Sequence, residues 1–191
     1  MLPRGELIAA ITTLPTASFA DVAFRLILAR YAATALSSIG SYRSGGRFNG
    51  PERFEALYLA SSPVTALQEV EALVQTAKGL RGVKGPPRIL LSVECRLQAV
   101  LDISAPEVWH TLGTTLDELC APWRPINAAG ELAPTQLLGE VIHEHPLIEA
   151  LRVVSARDRS ATNVVVFPDR LLSSSLVHVF DDSGLINAHL P

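Results

Sequence analysis

Ala150-Leu151-Arg152-Val153-Val154-Ser155 and Thr162-Asn163-Val164-Val165-Val166-Phe167 are two apolar, β-branched runs separated by the polar stretch Ala156 to Ala161. β-Branched side chains suit a pleated surface, so both runs read as strands and the stretch between them as a hairpin loop. Working outward, Leu176 to Phe180 and the short Ala56 to Ala60 read as further strands, as do Arg88 to Val93 and Ala99 to Ile103. Asp21 to Leu28 alternates as a strand does, with Val22, Phe24, Leu26 and Leu28 on one face and Ala23, Arg25 and Ile27 on the other. An arginine on so apolar a strand must reach solvent or find an anion, because an unpaired buried charge is costly.

The helical signals are segregated from these strands. Gly5 to Thr12 has a short helical pattern ending before Pro15. Ser61 or Ser62 can cap a helix with Pro63 in its first turn, and the periodicity of Val64, Leu67, Val70 and Val74 carries that helix to about Lys78. Ala105 to His145 is helical but broken by Pro106, Pro122, Pro125 and Pro134, while Ser37 to Pro51, with Gly40, Gly45, Gly46 and Gly50, reads as a loop. Without regular strand–helix alternation, the expected fold is α+β: a single domain with mixed and antiparallel sheets and flanking helices. The expected division is an N-terminal extension over 1–20, one domain over 21–181 and a tail over 182–191.

Composition bounds the function. The chain has 191 residues, 48% of them hydrophobic and 18% charged, with a mean hydropathy of +0.28, which excludes a disordered protein and fits one core. A net charge of −3 argues against a partner held through nucleic-acid phosphates. Cys95 and Cys120 are too few for a disulfide scaffold and form no CxxC pair, which fits a reducing, cytoplasmic compartment. The apolar stretch Leu7 to Ala20 is broken by Thr12, Thr13 and Pro15 and is shorter than a membrane span, so no membrane association is expected.

Familiar motifs are missing. The glycine-rich loop lacks the GK[ST] ending of a P-loop and any GxGxxG, and no GxSxG elbow occurs. His143-Glu144-His145 would diverge on a helix and belongs to no HExxH, so these residues are expected at the surface and no metal is expected. Trp109 and Trp123 read as core or interface.

A smaller constellation remains. In Tyr42-Arg43-Ser44-Gly45-Gly46-Arg47-Phe48-Asn49, consecutive glycines let backbone approach a ligand and Arg47 offers a fork suited to phosphate oxygens, although the loop taken alone reads first as a surface turn with a solvated arginine. Glu69 has no cation at salt-bridge spacing on its helix, so something else must satisfy it; Glu71 is a competitor that periodicity cannot dismiss. Ser155 could be a turn hydroxyl or a site residue, and Tyr58 a tethered core aromatic or a pocket wall.

Taken together, Gly-Gly-Arg47-Phe48-Asn49, Leu57-Tyr58-Leu59-Ala60-Ser61-Ser62-Pro63 leading to Leu67-Gln68-Glu69-Val70, and Val154-Ser155-Ala156 followed by Asn163 to Pro168 resemble the RES-domain toxins, named for an arginine, a glutamate and a serine. Two details differ: Phe48 stands where the family commonly has tryptophan, and Gly50 displaces a proline. The resemblance implies an ADP-ribosyltransferase-like fold over 21–181 that acts on NAD⁺ as substrate, with no tightly bound cofactor. It implies hydrolysis or phosphorolysis of the nicotinamide–ribose bond, or transfer of ADP-ribose to a protein, and a partner antitoxin of the Xre-like type. In that reading Glu69 stabilises the ribose cation, Arg47 and Arg25 hold the diphosphate, Tyr58 packs on nicotinamide or ribose, and Ser155 hydrogen-bonds ribose or the amide. A non-catalytic nucleotide- or partner-binding module is the alternative of another class.

Overall fold

The computed structural model describes residues 1–190. Helix α1 (Arg4–Thr13) precedes strand β1 (Thr16–Leu28), a 3-10 turn and helix α2 (Ile39–Ser44). Strand β2 (Leu57–Ala60) runs into helix α3 (Pro63–Glu69), followed by a ribbon of β3 (Leu73–Thr76) and β4 (Gly79–Gly82). The long strand β5 (Arg88–Asp102) leads to helices α4 (Pro106–Thr111), α5 (Leu116–Cys120), α6 (Arg124–Ala128) and α7 (Pro134–Glu144). Strands β6 (Ala150–Val154), β7 (Thr162–Val166), β8 (Leu176–Phe180) and β9 (His189–Leu190) follow. The α+β class and the β6–β7 hairpin agree with the sequence reading.

The main sheet has the order β1-β2-β7-β6-β5-β8-β9, and β1 also pairs with β5. The pairings therefore close a ring through β1, β2, β7, β6 and β5, all antiparallel except β5 with β6. Both faces are covered, which explains the unbroken run of valines in β7: Val164 and Val166 enter one core with Leu57, Leu59 and Val93, and Val165 enters another with Leu138, Ile142 and Leu151. Leu7 and Ile11 of α1 join the second core, so this part of the segment before residue 21 is integral to it. Where β5 exchanges β8 for β6 along its edge, the fully buried carboxylate of Glu149 accepts the N–H groups of Gln98 and Ala99 (2.5 and 2.9 Å), the Leu172 N–H and the Ser175 hydroxyl.

Several local expectations are corrected. The two strands expected over Arg88 to Ile103 are one, β5; the expected loop after Ser37 contains α2; and the expected tail returns as β9. On β1 the expected alternation holds: the face carrying Ala23 and Ile27 is buried, and Val22 on the other is exposed. Of His143-Glu144-His145, Glu144 is exposed as expected, but His143 is half-buried: its ring stacks on Phe54 at 4.0 Å between centroids, and Nε2 pairs with Asp169.

The largest correction concerns α3. Ser62 caps it by accepting the Thr65 N–H, but the helix stops at Glu69 instead of continuing to Lys78. Glu71 takes φ +56°, its N–H reaches the Gln68 carbonyl, and the Ala72 N–H reaches back to that of Leu67. This is a Schellman closure, which normally has glycine at the left-handed position. The buried residues are Thr65, Ala66 and Gln68, not the expected stripe; Val64 and Val70 are exposed and Val74 belongs to β3. The early stop places Glu69 at the helix terminus, facing the sheet.

Candidate active site

A cleft of about 450 Å³ opens between the end of α3, the glycine-rich segment, the start of α6 and the ends of β6 and β7. Its arginine wall is built on a rigid base. The Tyr58 hydroxyl, on the face of β2 opposite Leu57 and Leu59, donates to Asn49 Oδ1 at 2.8 Å and accepts the Phe48 N–H at 2.9 Å. Burial pushes the pKa of that phenol upward, so it stays protonated and able to donate. Asn49, fully buried, donates to the carbonyls of Ser41 and Phe54, and Gln136 of α7 donates to the Gly46 carbonyl at 2.9 Å. A Cβ on Gly46 would lie 2.4 Å from the Tyr58 hydroxyl oxygen, so the paired glycines serve this close packing.

Arg47 projects from this base into the cleft, with Nη1 donating to the carbonyls of Leu119 (3.2 Å) and Ala121 on either side of Cys120. Burial lowers its pKa, while Cys120 and Glu69 pull the other way. Arg25 also lines the cleft, its guanidinium donating to the carbonyls of Ala35 (3.2 Å) and Ser37 (2.8 Å). Desolvation lowers its pKa to about 10, well above neutral pH, so it keeps its charge beside neutral acceptors.

Glu69 is the carboxylate among the lining residues, and its orientation is set from behind. Ser155 Oγ and Asn163 Nδ2 both donate to Glu69 Oε1 at 2.6 Å; Oε2 takes no bond among the described residues. The backbone N–H groups of Arg157 and Asp158 in turn donate to Ser155 Oγ. Ser155 is fully buried and lies behind Glu69 rather than on the wall, so it unites the turn role with a site role. Glu71, the competing carboxylate, points elsewhere: it is exposed and paired with Arg157 at 2.5 Å. The structure thus gathers Arg25, Arg47, Tyr58 and Glu69 around one cleft with Ser155 beneath.

The sequence reading gave no site role to Asn163, whose Oδ1 is buried without a partner among the described residues, or to Arg124, and it placed Trp123, on which Arg124 stacks at 4.7 Å on the wall, in core or interface. Trp123 is therefore a cleft residue. Four arginines (25, 47, 124 and 157) face one glutamate across the lining, in a chain of net charge −3. Such a concentration of positive charge focuses a field suited to an anionic ligand.

The RES domain family model matches residues 22–182, most of the chain. The chain belongs to the RES domain family. This RES domain is 33% identical over 102 residues to the NAD(+) phosphorylase MbcT of Mycobacterium bovis and of Mycobacterium tuberculosis, covering 52% of the chain and 54% of each relative. The match spans about half the length of these curated relatives. The crystal structure of the M. tuberculosis MbcT–MbcA toxin–antitoxin complex superimposes with a TM-score of 0.67 at 22% identity, covering 92% of this chain and 90% of that one. At that identity the likeness establishes a shared fold.

Proposed function

We propose that this RES domain is the toxin of a toxin–antitoxin pair and cleaves the nicotinamide–ribose bond of NAD⁺, passing ADP-ribose to water or phosphate on an ADP-ribosyltransferase-like fold. The observation that carries the reading is a single oriented carboxylate, Glu69, in a cleft whose other charged lining residues are all arginines. The RES family match and the partial identity with NAD(+) phosphorylase MbcT support it. The MbcT–MbcA complex supports an antitoxin partner, which we take to be of the Xre type.

The chemistry follows from the residues. Departure of nicotinamide leaves oxocarbenium character on the ribose, which a carboxylate stabilises electrostatically. Glu69 does this through Oε2, while Ser155 and Asn163 hold the group in place. Arg47 and Arg25 clasp the diphosphate, whose bidentate oxygens match their forks. Tyr58 contributes a ring to the wall while its hydroxyl keeps the Arg47 segment rigid.

Purified protein incubated with NAD⁺, with and without phosphate and cell lysate, tests this by product mass. Free ADP-ribose or its 1″-phosphate is expected; a labelled lysate protein alone makes it a protein ADP-ribosyltransferase, and unchanged NAD⁺ refutes catalysis. Arg47→Lys is expected to raise the KM for NAD⁺, because lysine cannot offer the fork.

A further inference from the structure

Two cross-links join the end of α3 to the loop after β6, two residues apart on each side: Ser155 to Glu69, and Arg157 to Glu71. They differ in character. The inner one runs from the fully buried Ser155 to the cleft wall and is partly buried. The outer one is open to water, with the side chains of Arg157 and Glu71 44% and 65% exposed. An exposed pair of this kind holds weakly and exchanges readily. Glu71 moreover sits in the left-handed region at φ +56°, a conformation its Cβ disfavours. Arg157 nevertheless lines the cleft.

The charge inventory of the cleft leaves Arg157 over. A dinucleotide diphosphate carries two negative charges, which Arg25 and Arg47 meet, and Arg124 is stacked on Trp123. Arg157 is the guanidinium whose backbone adjoins the Ser155 that holds Glu69. An acceptor anion approaching the ribose beside Glu69 meets carboxylate repulsion and needs a cation at that edge.

We propose that Arg157 is the acceptor-selecting residue, exchanging Glu71 for inorganic phosphate when phosphate enters the cleft. The proposal rests on the NAD⁺-cleavage reading. As a phosphate dianion oxygen bonds to the ribose C1″, the C1″–N bond breaks and its electron pair neutralises the pyridinium nitrogen. Nicotinamide leaves uncharged and ADP-ribose 1″-phosphate carries the remaining negative charge, so no proton has to be removed during attack. Glu71 acts as a competitor that parks Arg157 when phosphate is absent.

Arg157→Gln and Glu71→Gln break the same ion pair, and this makes the test sharp. The KM for inorganic phosphate and the ratio of ADP-ribose 1″-phosphate to ADP-ribose are measured over a phosphate titration, with melting temperature as a folding control. Arg157→Gln is expected to raise the phosphate KM at least tenfold, with a much smaller change in the KM for NAD⁺. Glu71→Gln is expected to lower the phosphate KM severalfold, since the competitor is gone. Opposite signs support exchange; shifts of the same sign, or none, make the pair a structural latch and overturn the proposal. A native enzyme that consumes NAD⁺ but yields only ADP-ribose at every phosphate concentration overturns it while leaving the parent reading intact. No consumption of NAD⁺ at all removes both.

Discussion

At the scale of single residues, Glu69 and Glu71 are two positions apart and chemically identical, yet the fold gives them different work. One is held by Ser155 and Asn163 with an oxygen left over for a ligand; the other faces solvent. Glu69→Gln is expected to lower turnover by roughly 10²–10³ while the KM for NAD⁺ moves little, the signature of losing a group that acts on developing charge. Steady-state NAD⁺ consumption measures both. Near-normal turnover in Glu69→Gln would sink the assignment. Tyr58→Phe is expected to reduce unfolding free energy by about 1–3 kcal/mol, because it strands the Phe48 N–H and Asn49 Oδ1. Chemical denaturation reads that loss directly. Residue chemistry in the sequence made Arg47 and Glu69 candidates but could not choose between the two glutamates. The choice depends on a positive φ at Glu71, which neither composition nor periodicity encodes.

Among the elements, α3 and α7 do the most to build the site. Ending α3 at Glu69 aims that carboxylate at the sheet, and its beginning was legible in sequence to within one residue, Ser61 or Ser62, of which Ser62 is the cap. Its end was not, because apolar periodicity persists through Val70 and Val74 and gives no sign of the reversal. α7 supports the Arg47 segment from beneath: Gln136 bonds Gly46 across 90 positions, a pairing that local pattern cannot reveal. There Gly139 lets helix and loop meet, since a Cβ would stand 1.8 Å from the Phe48 carbonyl oxygen. Backbone on both sides leaves little room for relief, so Gly139→Ala is expected to cost about 3 kcal/mol or more. Thermal unfolding checks the stability loss. The displaced loop is further expected to raise the KM for NAD⁺ with kcat less affected.

For the whole molecule, the α+β class and most strands followed from alternation and turn chemistry, whereas ring closure and the exchange of partners along β5 depend on pairings between distant segments. The first helix illustrates the difference. Its pattern was visible, but only the fold reveals that Leu7 and Ile11 are sealed in a core shared with α7. Removing residues 1–15 is expected to lower stability by about 3–6 kcal/mol, at about 1.5–3 kcal/mol for each of those two side chains. Urea titration of the truncated chain tests this. The arginine-lined cleft is also expected to make the KM for NAD⁺ rise with ionic strength, checked by kinetics across a sodium chloride series.

The ring of strands is not equally strong all round. β1 and β5 are partnered along nearly their full length, but β1 and β2 meet at one pair, Phe24 with Ala60, and both residues border the cleft. The barrel is thus fastened by a single stitch at its mouth, where breathing opens it most easily. Amide hydrogen exchange there should be fast in the free protein and slow once a dinucleotide spans the seam, while the long ladder opposite stays protected throughout.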